Sequence, residues 1–184
     1  MKILYHVSKT ENLKELEPRV CSHGKAYVYA SYHKETALLF GGSLWSDWDF
    51  IYKRNYQTGE LTFSETYPGE FQKVFAEKTC ILYEVEDSGF KQGQTNMWDE
   101  IVSQQKTRVL KERKITNLLD ELKELEKIGK IKLEKYSDDE CYKEKVKKHI
   151  LNLTKYSDIY KQHNTSLLIE KFEDILKDNA RQLL

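Results

Sequence analysis

His23-Gly24-Lys25-Ala26-Tyr27-Val28-Tyr29-Ala30-Ser31 is the stretch on which the fold of this chain turns. Gly24 introduces a strand over residues 26–30, with Tyr27 and Tyr29 on one face. Ser31 can cap a following helix that carries Ala37, Leu38, Leu39 and Phe40 and stops at Gly41-Gly42. Upstream, residues 2–7 read as a first strand, with Ile3, Tyr5 and Val7 on one face and Leu4 and His6 on the other. A short helix carrying Leu13 and Leu16 is expected next, ending before Pro18. Downstream, strands are expected at residues 49–52 and 61–63, joined around Gln57-Thr58-Gly59, and again at residues 79–85. A last strand region, residues 101–115, carries an interruption. Short strands with few helices predict an α+β domain on an antiparallel or mixed sheet.

The rest of the chain is of a different kind. All three tryptophans and both prolines fall before residue 115, whereas residues 115–184 hold 14 basic and 14 acidic side chains. We therefore read residues 1–115 as the α+β domain and residues 116–184 as a charged, amphipathic helical extension. In the extension Leu118, Leu119, Leu122, Leu125 and Ile128 share a helical face up to Gly129. Ser137-Asp138-Asp139 can open a second helix with Tyr142, Val146, Ile150 and Leu153. A third is expected from Thr165 or Ser166, carrying Leu168, Ile169, Phe172, Ile175 and Leu176. Such faces need a surface to cover: one another, the first domain, or a protein partner.

Composition narrows the function classes. The 184 residues carry 30 basic and 30 acidic side chains, which disfavours a globally basic nucleic-acid binder. No apolar stretch approaches a signal peptide or a membrane span, and three widely spaced cysteines suit a reducing compartment, so the expectation is a cytoplasmic protein without a membrane partner. No dinucleotide-binding Gly-x-Gly-x-x-Gly, phosphate-binding loop, zinc-ligand spacing or Gly-x-Ser-x-Gly elbow occurs, and no metal is expected. The basic run Lys106, Arg108, Lys111, Arg113 and Lys114 could meet phosphate, although such runs usually mark a solvated strand face. Trp45 and Trp48 could sit in a loop over a pocket or in packing.

What remains is an ordered set of three segments: Leu4-Tyr5-His6-Val7-Ser8, then residues 23–31, then Trp98-Asp99-Glu100-Ile101-Val102-Ser103. This set resembles the ADP-ribosyltransferase superfamily, in particular its His-Tyr-Glu branch that includes poly(ADP-ribose) polymerases. That branch has a Leu-x-His-Gly-Ser-like first strand, a Gly-x-x-x-Tyr-x-Ala-like second strand and a glutamate opening a later one. The first part also looks like a bacterial group sharing the Glu17-Pro18-Arg19-Val20 and Gly24-Lys25-x-Tyr27-Val28-Tyr29-Ala30-Ser31 stretches. The resemblance spans residues 2–115 in outline and says nothing of the extension. It implies a split, mixed or antiparallel sheet with NAD as the substrate.

The resemblance also assigns roles. Breaking the nicotinamide–ribose bond develops positive charge on the sugar. Glu100, hydrogen-bonded to the ribose hydroxyls, would stabilise that state. His6 would donate a hydrogen bond to a ribose hydroxyl. Val7 stands where the family usually has a glycine whose backbone grips the nicotinamide amide, and its bulk could narrow the pocket. Ser8 would bond the same amide. The stacking aromatic depends on register: an ungapped alignment on Gly24-Lys25 puts Val28 there, whereas alignment on Tyr29-Ala30-Ser31 puts Tyr29 there, with Tyr27 on the same face. Tyr29 is the assignment adopted. Thr36 and Phe40 fall near positions where the family uses a hydroxyl and a second aromatic. The acceptor, whether protein, nucleic acid or small molecule, is not set by these residues. Two other readings stand beside transfer or NAD hydrolysis. One is a non-catalytic NAD-fold protein that binds a partner through its helices. The other is an RNA 2′-phosphotransferase, for which a paired His/Arg set is missing from the first 60 residues.

Overall fold

The computed structural model describes residues 2–20, 24–43, 45–95, 99–156, 170–173 and 175. Its contacts divide the chain into two compact units whose segments interleave: Met1–Leu44 with Phe71–Ile131, and Trp45–Glu70 with Lys132–Leu184. Both combine helix with sheet, so the chain is α+β.

The first unit has two four-stranded sheets. One follows the order β1 (Ile3–Ser8), β7 (Cys80–Glu86), β10 (Thr107–Ile115) and β2 (Glu15–Leu16). The other follows β3 (Arg19–Val20), β4 (Ala26–Ala30), β9 (Ile101–Ser103) and β8 (Lys91–Gln92). Every registered pairing in them is antiparallel. The sheets are joined at a bridge where Tyr5 and Ser31 exchange two backbone hydrogen bonds, of 2.8 and 2.9 Å. Alternation explains the core beneath: Leu4, Val28, Ala30, Ile81, Tyr83, Val85 and Ile101 come from four strands and pack with Leu16 as one cluster. Helices α1 (Lys34–Leu39), α2 (Glu70–Phe75, its first residue falling in the second unit) and α3 (Leu118–Lys127) complete this part of the fold.

Two local expectations are overturned here. The helix expected around Leu13 and Leu16 does not form, and Leu16 pairs with Thr107 as β2. The backbone groups a helix would need are taken by distant partners. Asn12 N–H donates to Glu112, Leu13 N–H to the Tyr83 hydroxyl, and the Lys14 carbonyl accepts from Val109 N–H. Ser31 does not cap α1 either. His33 is the N-cap, without a side-chain bond, and the Ser31 hydroxyl accepts from His33 N–H while its backbone makes the inter-sheet bridge. Gly41-Gly42 does follow the helix, for reasons of space. A Cβ on Gly41 would come within 2.8 Å of Cys80 Sγ and 3.0 Å of Val7 Cγ1, and one on Gly42 within 2.7 Å of the Val74 carbonyl oxygen.

The second unit contains β5 (Phe50–Arg54), β6 (Leu61–Glu65) and β11 (Ile131–Glu134, its first residue falling in the first unit) in the order β11-β6-β5, with α4 (Glu140–Tyr156). Trp48, Val146, Ile150 and Phe172 form its buried cluster, and Trp45 lies edge-on to Phe50 and Phe63 at 5.7 and 5.2 Å. Both tryptophans are therefore packing residues of this unit rather than a pocket cover. Of the third expected helix only residues 170–173 and 175 are described, and Phe172 supplies its buried anchor. Among the described residues no helix is long and apolar enough to cross a membrane.

Candidate active site

The bridge between Tyr5 and Ser31 draws β1 and the end of β4 together, and two adjoining cavities open along this junction. The smaller, about 240 Å³, is lined by His6, Val7, Tyr29, Thr36, Phe40 and Glu100 together with Tyr5, Ala30, Ser31 and Ala37. The larger, about 380 Å³, shares His6, Val7 and Tyr29 and adds Ser8, Tyr27 and Arg19 among its walls. The eight residues singled out from sequence thus line one two-lobed cleft, six of them in the smaller lobe.

His6 sits at the seam. Its Nδ1 lies 2.7 Å from the Tyr29 carbonyl oxygen, which can only accept, so Nδ1 carries the proton. Burial lowers the imidazole pKa, opposed by the bond to the Tyr29 carbonyl and reinforced by the nearby Arg19 cation. Burial thus favours the neutral ring, and with Nδ1 protonated the lone pair of that tautomer lies on Nε2. In that tautomer a hydroxyl meeting Nε2 would donate to it, the opposite of the direction the resemblance implies.

Tyr29 pairs with Val102 across β4 and β9, and Ala30 pairs with Ile101, which sets Glu100 one residue beyond the strand end and beside the same lobe. Tyr27 and Tyr29 lie edge to face, ring centroids 6.0 Å apart. Tyr27 is buried, whereas Tyr29 is half-buried and borders both lobes. Phe40, 48% exposed, borders the smaller lobe at the end of α1. Thr36 is fully buried, and its hydroxyl donates to Asp99 Oδ2 at 3.2 Å. Val7 lines both lobes, but its Cγ1 sits close over Gly41, so part of the valine bulk is housed by that glycine.

Four of the five cations of the basic run face carboxylates. Lys106 pairs with Glu17, Lys111 with Glu84, Arg113 with Glu121 and Lys114 with Glu11. Sequence reasoning missed Arg19, Leu13, Leu16, Tyr5 and Ser31 as cleft residues. Leu13 and Leu16 were hidden by the helical reading of their segment, and Arg19 stands on a strand too short to show alternation.

A rival nucleophile can be set aside. In the second unit Lys145 Nζ lies 2.9 Å from Ser64 Oγ, which suggests a Ser–Lys pair. Both groups also bind the Glu134 carboxylate, so the lysine is not left to activate the serine alone, and Ser64 is fully buried. Cys80 is no better: burial pushes its thiol up to about 11. Among the described residues no group of His, Cys, Asp and Glu could hold a metal ion. Comparison with protein-family models, curated proteins and solved structures gives no match for this chain.

Proposed function

We propose that this chain is an ADP-ribosyltransferase-like enzyme of the His-Tyr-Glu kind, which splits NAD and passes ADP-ribose to an acceptor or to water. The observation that supports this most is the convergence of His6, Tyr29 and Glu100, three residues far apart in sequence, on one cavity. The chemistry follows from their types. Nicotinamide leaves with the electron pair of its bond to ribose, and positive charge develops on the sugar. The Glu100 carboxylate accepts hydrogen bonds from the ribose hydroxyls and offsets that charge. A hydroxyl, amine, carboxylate or water of the acceptor then bonds to the same carbon, any proton it carries being released. Tyr29 offers a ring face and His6 Nε2 accepts from a hydroxyl. The second lobe, with Tyr27, Ser8 and the Arg19 guanidinium, suits a ligand made of two ring-bearing halves joined through phosphates.

The test is Glu100→Gln, which removes the charge and keeps the shape. It should keep NAD affinity by calorimetry while nicotinamide release falls about a hundredfold or more. Unchanged release in a contaminant-free preparation rejects Glu100 as the catalytic residue. Val7 in the glycine position favours one competitor, a non-catalytic NAD-fold protein acting through a protein partner. Binding of NAD by the wild type without nicotinamide release would select it. Release accompanied by a phosphate-bearing product would instead select an RNA 2′-phosphotransferase.

A further inference from the structure

We infer that Asp99, tied to Thr36 of α1, is a positioning residue for Glu100. The inference rests on the proposed role of Glu100 and deepens it. Asp99 directly precedes Glu100 and is 6% exposed, so its carboxylate is held in the interior rather than in solvent. Its Oδ2 accepts from Thr36 Oγ1 at 3.2 Å, and Thr36 is 0% exposed, so the bond lies in the interior of the first unit. On the other side of Glu100, Ile101 enters β9 and pairs with Ala30. The glutamate is thus held from both sides, by a strand register after it and by a buried side-chain bond before it. Thr36 and Glu100 both line the smaller lobe, so the bond runs beside the cavity wall that it sets.

The physical consequence concerns precision. A register bond fixes the backbone of Ile101, but the turn leading into it could still swing the Glu100 side chain towards or away from the cleft. A buried hydroxyl–carboxylate bond to the adjacent residue removes that freedom. Stabilising charge on a sugar needs a carboxylate already in place, since misplacement by about an ångström can cost on the order of a hundredfold in rate. Asp99 need not touch the substrate to have this effect.

The experiment compares Asp99→Ala, which abolishes the acceptor, with Asp99→Asn, whose amide oxygen can still accept from Thr36. Each is followed by calorimetry with NAD, by single-turnover nicotinamide release, and by thermal unfolding. Asp99→Ala should release nicotinamide more slowly, by a factor of about ten to a hundred, with NAD affinity within about threefold and the unfolding transition still cooperative. Asp99→Asn should recover most of the rate. Equal release by wild type and Asp99→Ala overturns the positioning role while leaving NAD cleavage intact. Loss of affinity and rate together, with no recovery in Asp99→Asn, also overturns it, since that is the behaviour of a fold contact. A wild type that neither binds nor splits NAD overturns the functional reading and this inference with it.

Discussion

At the scale of single residues, the cleft depends on neighbours that sequence proximity does not suggest. Gly41 has no positive φ to explain it, yet an added Cβ would meet Cys80, Val7 and Leu118 at 2.8 to 3.1 Å. Gly41→Ala should therefore destabilise the protein by about 1–3 kcal/mol through overpacking, read as a lower midpoint in urea. The same contact explains how a valine can occupy position 7, since the space its methyl uses was vacated by a glycine elsewhere. His6 teaches a related lesson. Its position was legible from Leu4-Tyr5-His6-Val7-Ser8, but the direction of its hydrogen bond was not. That direction follows from the Tyr29 carbonyl at 2.7 Å, a long-range contact set by the inter-sheet bridge.

At the scale of elements, α3 is the helix whose fate was clearest from sequence and whose anchoring was not. Its Leu118, Leu119, Leu122 and Leu125 are all buried, as their spacing predicts, whereas Ile128, at the C-cap, is 68% exposed and leaves that face. Leu122 is 0% exposed, so Leu122→Ala should cost about 2–5 kcal/mol, measurable by denaturant unfolding. Glu121 on the same helix gathers Arg113 from β10 and Lys34 from α1, at 2.5 and 2.9 Å. The Arg113 hydrogen bonds, with a smaller contribution from Lys34, hold its carboxyl at about 2 against the opposing effect of burial. A depressed folded pKa contributes stability that is present above the unfolded value near 4.5 and lost as pH falls through about 2. Acid unfolding should therefore steepen across that window in the wild type and flatten in Glu121→Gln. Strands fared unevenly by the same logic. β1, β4 and β7 are long enough to alternate and were legible. β2 is two residues long, and its pairing was decided by Tyr83, Glu112 and Val109 rather than by its own composition.

At the scale of the whole molecule, composition divides the chain near residue 115, whereas contacts join residues 71–131 to the N-terminal segment. A protein ending at residue 115 would keep the residues proposed for the site and lose α3 with its four buried leucines. We expect it to show weakened tertiary packing, seen as loss of dispersion in its amide NMR spectrum and a broad thermal transition. The full chain should unfold cooperatively within that unit.

The sequence by itself determined the α+β class, the periodic strands and helices, and the three short segments that carry His6, Tyr29 and Glu100. These are properties of local pattern: alternation, helical spacing, capping and glycine placement act over a few residues and are written there. Only the tertiary structure decided that the three segments meet in one cleft, that His6 Nδ1 is engaged by the Tyr29 carbonyl, that the tryptophans pack in the second unit, and that Asp99 is buried against Thr36. Each of those is a contact between residues far apart in the chain. Such contacts arise from which surfaces are buried together, and no local pattern encodes that choice.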